Sequence, residues 1–166
     1  MRVPLVALIV CIANGSVATY DRQPEARADA YTGTWTLNVA KSGGAPRTQV
    51  LTIAVVGDEE TYQSEMQSAT GRRQVTNYKA RYDGREYPSV TVVTEPDGKA
   101  TREVNTVKLE KVDERTRTRT WQQNGQTTIL RRVVSPDGKT LTSQSILVDA
   151  TGRETRAPML LVFDKQ

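Results

Sequence analysis

The chain has 166 residues, a length that suits one domain burying roughly two thirds of the surface its unfolded form exposes. It carries 23 Lys and Arg against 19 Asp and Glu, a net charge of +4, which is too balanced to argue for nucleic-acid binding. With no histidine and a single cysteine, it lacks the makings of Ser-His-Asp and Cys-His nucleophile systems, of His-ligated haem and of the usual zinc sites.

The N-terminus reads as a secretory signal over residues 1–18. Arg2 supplies a positive start, residues 3–13 form an apolar run too short to span a bilayer, and Ser16-Val17-Ala18 offers a small-residue cleavage site. Ala28-Asp29-Ala30 is the second choice for cleavage. Export would remove Cys11 and leave no disulfide. Residues 19–30 are polar and alanine-rich without a clear period, as expected of a flexible leader.

From Tyr31 onward, turn chemistry punctuates the chain at regular intervals: Gly57-Asp58, Thr70-Gly71, Asp83-Gly84, Asp97-Gly98, Asp113-Glu114, Asn124-Gly125, Asp137-Gly138 and Thr151-Gly152. Asn-Gly and Asp-Gly suit tight hairpins because their backbones tolerate positive φ. Between these points lie runs rich in Val, Thr, Ile and Tyr with no helical period. Strands are therefore expected near 34–40, 47–56, 59–68, 72–82, 85–94, 100–112, 115–123, 126–134, 139–149 and 153–163. An open meander of this size would leave two exposed edges, so the expected fold is all-β, a single up-and-down antiparallel barrel over residues 31–166. A barrel of this strand number exceeds what its own side chains can fill. Pro-Asp-Gly-Lys occurs at residues 96–99 and again at 136–139, and reflects a repeated turn requirement.

Residues two apart share a face of a strand, which assigns inward positions. On this parity Trp35, Leu37 and Val39 share the inner face of the first strand. Gln49, Leu51, Ile53 and Val55 share that of the second. Tyr62 and Met66 face inward from the third, and Met159, Leu161 and Phe163 from the tenth. The stretch VDERTRTRTW at 112–121 is ambiguous. Arg115, Arg117, Arg119 and Trp121 share one face, and Thr116, Thr118 and Thr120 the other. Two readings stay open. The cost of burying unpaired arginines favours an outward arginine face whose stems cover apolar surface. An inward face would instead set Arg117 and Arg119 beside Trp121 as an anion-recognition patch.

The segment YTGTWTLNVAKS at 31–42, the repeated hairpins and the closing LLVFDKQ resemble the small secreted lipocalin-like proteins of bacteria. These belong to the wider calycin group with lipocalins and fatty-acid-binding proteins, and the resemblance spans residues 31–166. Gly33-Thr34-Trp35 matches the G-x-W signature of the first calycin strand, which implies that Trp35 plugs one end of the barrel. Two departures bear on function. Fatty-acid-binding proteins insert a helix-turn-helix lid between the first two strands, whereas only residues 41–47 connect them here, so no helical lid is expected. Their last strand often reads T-R-V-Y-E-K, with the arginine and tyrosine gripping a carboxylate. Leu161 and Phe163 stand at the matching positions, so that grip is not expected either.

For catalysis only carboxylates, lysines, tyrosines and serines remain. A glycosidase-like pair needs two carboxylates roughly 5 to 10 Å apart across a cleft, and Asp58, Glu59, Asp83, Asp97, Asp113 and Asp137 all fall in or beside solvated turns. Enzymatic activity, cofactors, bound metal, nucleic-acid partners and a membrane span are not expected. The leading expectation is an exported, periplasmic or extracellular binding protein that holds a small, apolar or amphipathic molecule inside the barrel. Tyr62, Met66, Arg117, Arg119, Trp121 and Leu161 are the cavity candidates. The alternatives are a cell-envelope structural or interaction protein with a filled barrel, and a carboxylate-based enzyme.

Overall fold

The computed structural model describes residues 29–43, 47–123 and 125–166. The expected signal, Cys11 and most of the expected leader lie outside the described residues. Ten strands run in chain order: β1 (Gly33–Leu37), β2 (Arg47–Val56), β3 (Glu59–Ser68), β4 (Arg73–Arg81), β5 (Tyr87–Thr94), β6 (Ala100–Lys111), β7 (Thr116–Gln123), β8 (Gln126–Val134), β9 (Thr140–Val148) and β10 (Met159–Lys165). Each pairs antiparallel with the next, and β1 closes the ring on β10 through Trp35↔Lys165 and Leu37↔Phe163. The fold is a closed ten-stranded up-and-down barrel, and closure leaves no free sheet edge.

The turns behave as their chemistry dictates. At both Pro-Asp-Gly-Lys segments the glycine takes positive φ, +85° at Gly98 and +70° at Gly138. In each, the preceding aspartate accepts from the lysine N–H, 3.0 Å at Asp97 and 3.1 Å at Asp137. The shared sequence thus encodes a shared turn.

Two strand expectations need correction. The first strand stops at Leu37, because Asn38 caps a short 3-10 turn, Val39–Lys41, by accepting from the Lys41 N–H at 3.1 Å. Val39 is thereby turned out to solvent, 50% exposed. The tenth strand begins at Met159, not at 153. The Thr151-Gly152 turn does form, with Gly152 N–H donating to Asp149 at 3.0 Å. Beyond it, however, residues 153–158 are all exposed and make only a single bridge, Val148↔Glu154. They carry no apolar stripe to seat on the core, and Pro158 has no N–H to give a ladder. Among the described residues between β1 and β2 the 3-10 turn is the only helical element, and no helix among the described residues is long and apolar enough to cross a membrane.

One end of the barrel is shut. Residues 29–32 cross it, and the Tyr31 hydroxyl sits 2.7 Å from the Arg132 carbonyl and 3.0 Å from that of Arg115. Trp35, fully buried, donates its indole N–H to the Tyr31 carbonyl at 2.9 Å. The Lys165 ammonium lies 4.9 Å from the centre of its ring. A side chain at Gly33 would put a Cβ 2.7 Å from Lys165 Cε, so the glycine two residues before the tryptophan makes room for the lysine that covers it. Leu51, Ile53, Leu109, Leu141 and Phe163 complete this apolar cluster.

Candidate ligand cavity

β7 turns its arginines inward, which overturns the favoured outward reading. Arg117 is 1% exposed and Arg119 9%. For Arg117, the cost that argued against this is met by residues on another strand's end and on the chain before β1. Arg117 Nη2 pairs with Asp29, its Nη1 donates to the Tyr82 hydroxyl at 2.5 Å, and its guanidinium lies 4.3 Å from the ring centres of both Tyr31 and Tyr82. Parity along β7 was readable; the compensating partners, 88 and 35 residues away in sequence, were not.

The same network holds two residues that sequence reasoning missed. Glu60 on β3 is completely buried, and Arg132 on β8 is 1% exposed. Arg132 Nη2 donates to both Glu60 oxygens, at 2.8 and 2.9 Å. The Tyr78 hydroxyl donates to Glu60 Oε1 at 2.5 Å, and the Tyr82 hydroxyl donates to Oε2. Asp29, Arg117, Tyr82, Glu60 and Arg132 therefore form one continuous chain of charge-assisted hydrogen bonds behind the plugged end. Parity could have found Glu60, since it shares a face with Tyr62, Ser64 and Met66.

Burial by itself would raise the Glu60 carboxyl, but the Arg132 charge and the hydrogen bonds from Tyr78, Tyr82 and Arg132 outweigh it and hold the group below the ordinary carboxylate range. Burial would likewise lower Arg132, and the Glu60 charge reverses that and raises it. Desolvation pushes the Tyr31 phenol up to about 12. At neutral pH the network is thus a carboxylate held by cations and neutral phenols.

Arg119 is arranged differently. It forms no ion pair among the described residues, and its buried Nε has no hydrogen-bond partner. Its guanidinium lies among three rings, 4.7 Å from the centre of Trp121, 4.9 Å from Tyr78 and 5.2 Å from Tyr62. Tyr62 and Tyr78 themselves stack at 4.6 Å. Such contacts stabilise a cation by about 0.5–2 kcal/mol each and leave the N–H groups unused.

Arg119 lines a cavity of about 450 Å³ that runs from the centre of the barrel to the end opposite the plug. Tyr62, Met66, Trp121 and Leu161 line it too, as does the inner side of Arg132, whose Nε and Nη1 have no partner. Arg117 does not, because the plug network holds it below the floor. Arg47 and Arg156 stand at the cavity's outer part, and Arg156 comes from the exposed segment 153–158 that stands where the expected tenth strand was to begin. Glu60 is the only carboxylate fully buried among the described residues, and it is already engaged. No group of three or more His, Cys, Asp or Glu among those residues could hold a metal ion.

A chain of known structure shares this architecture: a Schistosoma mansoni fatty acid binding protein solved in complex with arachidonic acid. It is 16% identical, the alignment covers 84% of this chain and 98% of that one, and the TM-score is 0.55. The likeness is one of fold. No protein-family model and no curated protein matches the sequence. The chain therefore has a closed ten-stranded barrel of the calycin kind.

Proposed function

We propose that this protein is an exported carrier that holds a small amphipathic anion inside its barrel, with the anionic group on the free edge of Arg119. The observation that carries this reading is the unpaired guanidinium of Arg119 on the wall of a cavity of about 450 Å³. A buried cation without a counter-charge is costly, and an anionic ligand would supply both the charge and the missing hydrogen-bond acceptor. Leu51, Leu130, Leu147, Met159, Leu161 and Phe163 give the cavity an apolar wall for the apolar body. The apolar run at residues 3–13 behind Arg2 supports export, and the proposed carrier is periplasmic or extracellular.

The structural neighbour's arachidonic acid is a ligand of the proposed kind, an acid with an apolar chain. The grip proposed for this chain differs, since Leu161 and Phe163 give no polar anchor on the last strand and the charge comes from β7. The alternative of a filled barrel acting only as an envelope interaction protein draws no support from a barrel with this much interior space.

Titration of octanoate against the purified protein, followed by Trp121 fluorescence and by calorimetry, tests the proposal. Saturable binding that Arg119→Met weakens by about ten-fold or more is expected from the loss of a charge-assisted hydrogen bond. Octanoate affinity unchanged in Arg119→Met would refute the assignment.

A further inference from the structure

The interior has a second lobe of about 330 Å³ on the side of β4, β5, β6 and β7, a size within the range of small-molecule pockets, about 300–1,000 Å³. It shares Gln74, Thr76, Arg119, Trp121 and Gln123 with the main cavity, so the two lobes meet at Arg119. Their walls differ in chemistry. The second lobe presents Thr76, Ser89, Thr91 and Asn105, is lined as well by the opposite charges of Arg72 and Glu103, and has Val93 and Val107 as its only aliphatic residues. These positions alternate correctly to point inward, and Ser89 is 3% and Thr76 6% exposed, so the hydroxyls belong to the interior. Thr76 and Thr91 form a cross-strand hydroxyl pair at 3.0 Å, which fixes one donor and leaves acceptor positions over.

Resting on the carrier reading above, we infer that the ligand's charged end also bears hydroxyl groups. Its class is an amphipathic sugar acid or polyhydroxy acid, with the carboxylate on Arg119, the hydroxyls against Thr76, Ser89, Thr91 and Asn105, and the alkyl part along the apolar wall. A plain alkanoate fills only one lobe and leaves a row of buried hydroxyls to water. A site lined to hydrogen-bond ligand hydroxyls discriminates against an analogue that lacks them, because its own polar groups lose their partners. The inward side chains of β4 to β6 explain why: at five of their positions the barrel uses Thr, Ser, Asn or Gln where an alkyl chain would be best served by Leu or Val.

The test compares octyl β-D-glucuronide, octyl β-D-glucoside and octanoate by calorimetry on the full mature chain, then repeats the comparison on Ser89→Ala and Thr91→Val. Both variants keep side-chain shape closely, and their melting temperatures verify folding. The glucuronide is expected to bind about ten-fold or more tighter than octanoate and than the uncharged glucoside, and the ratio of glucuronide to octanoate affinity is expected to fall toward one in the variants. Octanoate binding as tightly as the glucuronide, or a ratio that both variants preserve, overturns the inference while leaving the anion carrier standing. Failure of both acids to bind, or binding of both that ignores Arg119→Met, overturns the carrier reading and this inference with it.

Discussion

Arg117 and Arg119 sit two residues apart on one strand, face the same way and are both buried, yet their surroundings differ. Arg117 belongs to the plugged end, where the carboxylates of Asp29 and Glu60 balance the charges of Arg117 and Arg132, and Tyr82 links the two pairs. Arg119 belongs to the cavity, where three aromatic faces meet its charge and no described residue accepts its N–H groups. A buried ion is structural when the chain supplies its partner and available for a ligand when it does not. The same strand, read for its sequence alone, gives the two arginines equal standing.

The largest effect should come from breaking the compensated region. Glu60→Gln leaves Arg132 buried with its counter-charge gone, and a loss of about 3–5 kcal/mol in urea unfolding is expected. Replacing the pair together, Glu60→Leu with Arg132→Met, should recover much of that loss, since a buried ion pair can be exchanged for apolar packing at little cost. A double variant as unstable as Glu60→Gln would show that the pair holds the end together by more than mutual charge. Trp35→Ala at the same end is expected to cost about 3–5 kcal/mol through the cavity it opens, and an unchanged melting temperature would remove Trp35 from the core of the account.

The network also predicts a direction with pH. The folded-state value of Glu60 lies below its unfolded value of about 4.3, so the stability it contributes is present above that value and is lost as pH falls through the lower folded one. Unfolding followed between neutral pH and strong acid should therefore show a fall in stability below about pH 4 that is weaker in the Glu60→Leu, Arg132→Met variant. An equal acid dependence in both proteins would assign it to other carboxylates.

The sharper contrast lies between the two arginines. Arg117→Met should lower stability by about 2–4 kcal/mol by stranding Asp29 and the Tyr82 hydroxyl, with little change in octanoate affinity. Arg119→Met should do the reverse, weakening octanoate binding while altering stability by about 1 kcal/mol or less, because the cost of burying an unpaired cation offsets its aromatic contacts. Identical profiles for the two variants would erase the distinction. The smallest effect is expected at the surface: Arg73→Ala breaks the exposed pair with Glu65 and should cost under about 1 kcal/mol.

The fold was legible because each hairpin carries its own turn chemistry and each strand its own alternation, as Gly98 and Gly138 show. It failed where local signals had no tertiary support. Val39 continued the alternation of β1 but was captured by the Asn38 cap, and residues 153–158 followed a sound turn yet had nothing apolar to pair against. Parity also found the cavity wall at Tyr62, Met66, Trp121 and Leu161. It could not tell whether Arg117 and Arg119 were buried, because that depends on Asp29, Tyr62, Tyr78 and Tyr82, residues brought alongside only when the barrel closes. Glu60 and Arg132 lay hidden for the same reason, each an ordinary charged residue until the other stands opposite.

The most direct measurement is a crystal structure of the protein grown with saturating octanoate. The account predicts the carboxylate within hydrogen-bond reach of the Arg119 guanidinium and the alkyl chain along Leu161, with Arg117 still on Asp29. A carboxylate bound at Arg47 or Arg156, with Arg119 untouched among its aromatic rings, would contradict it.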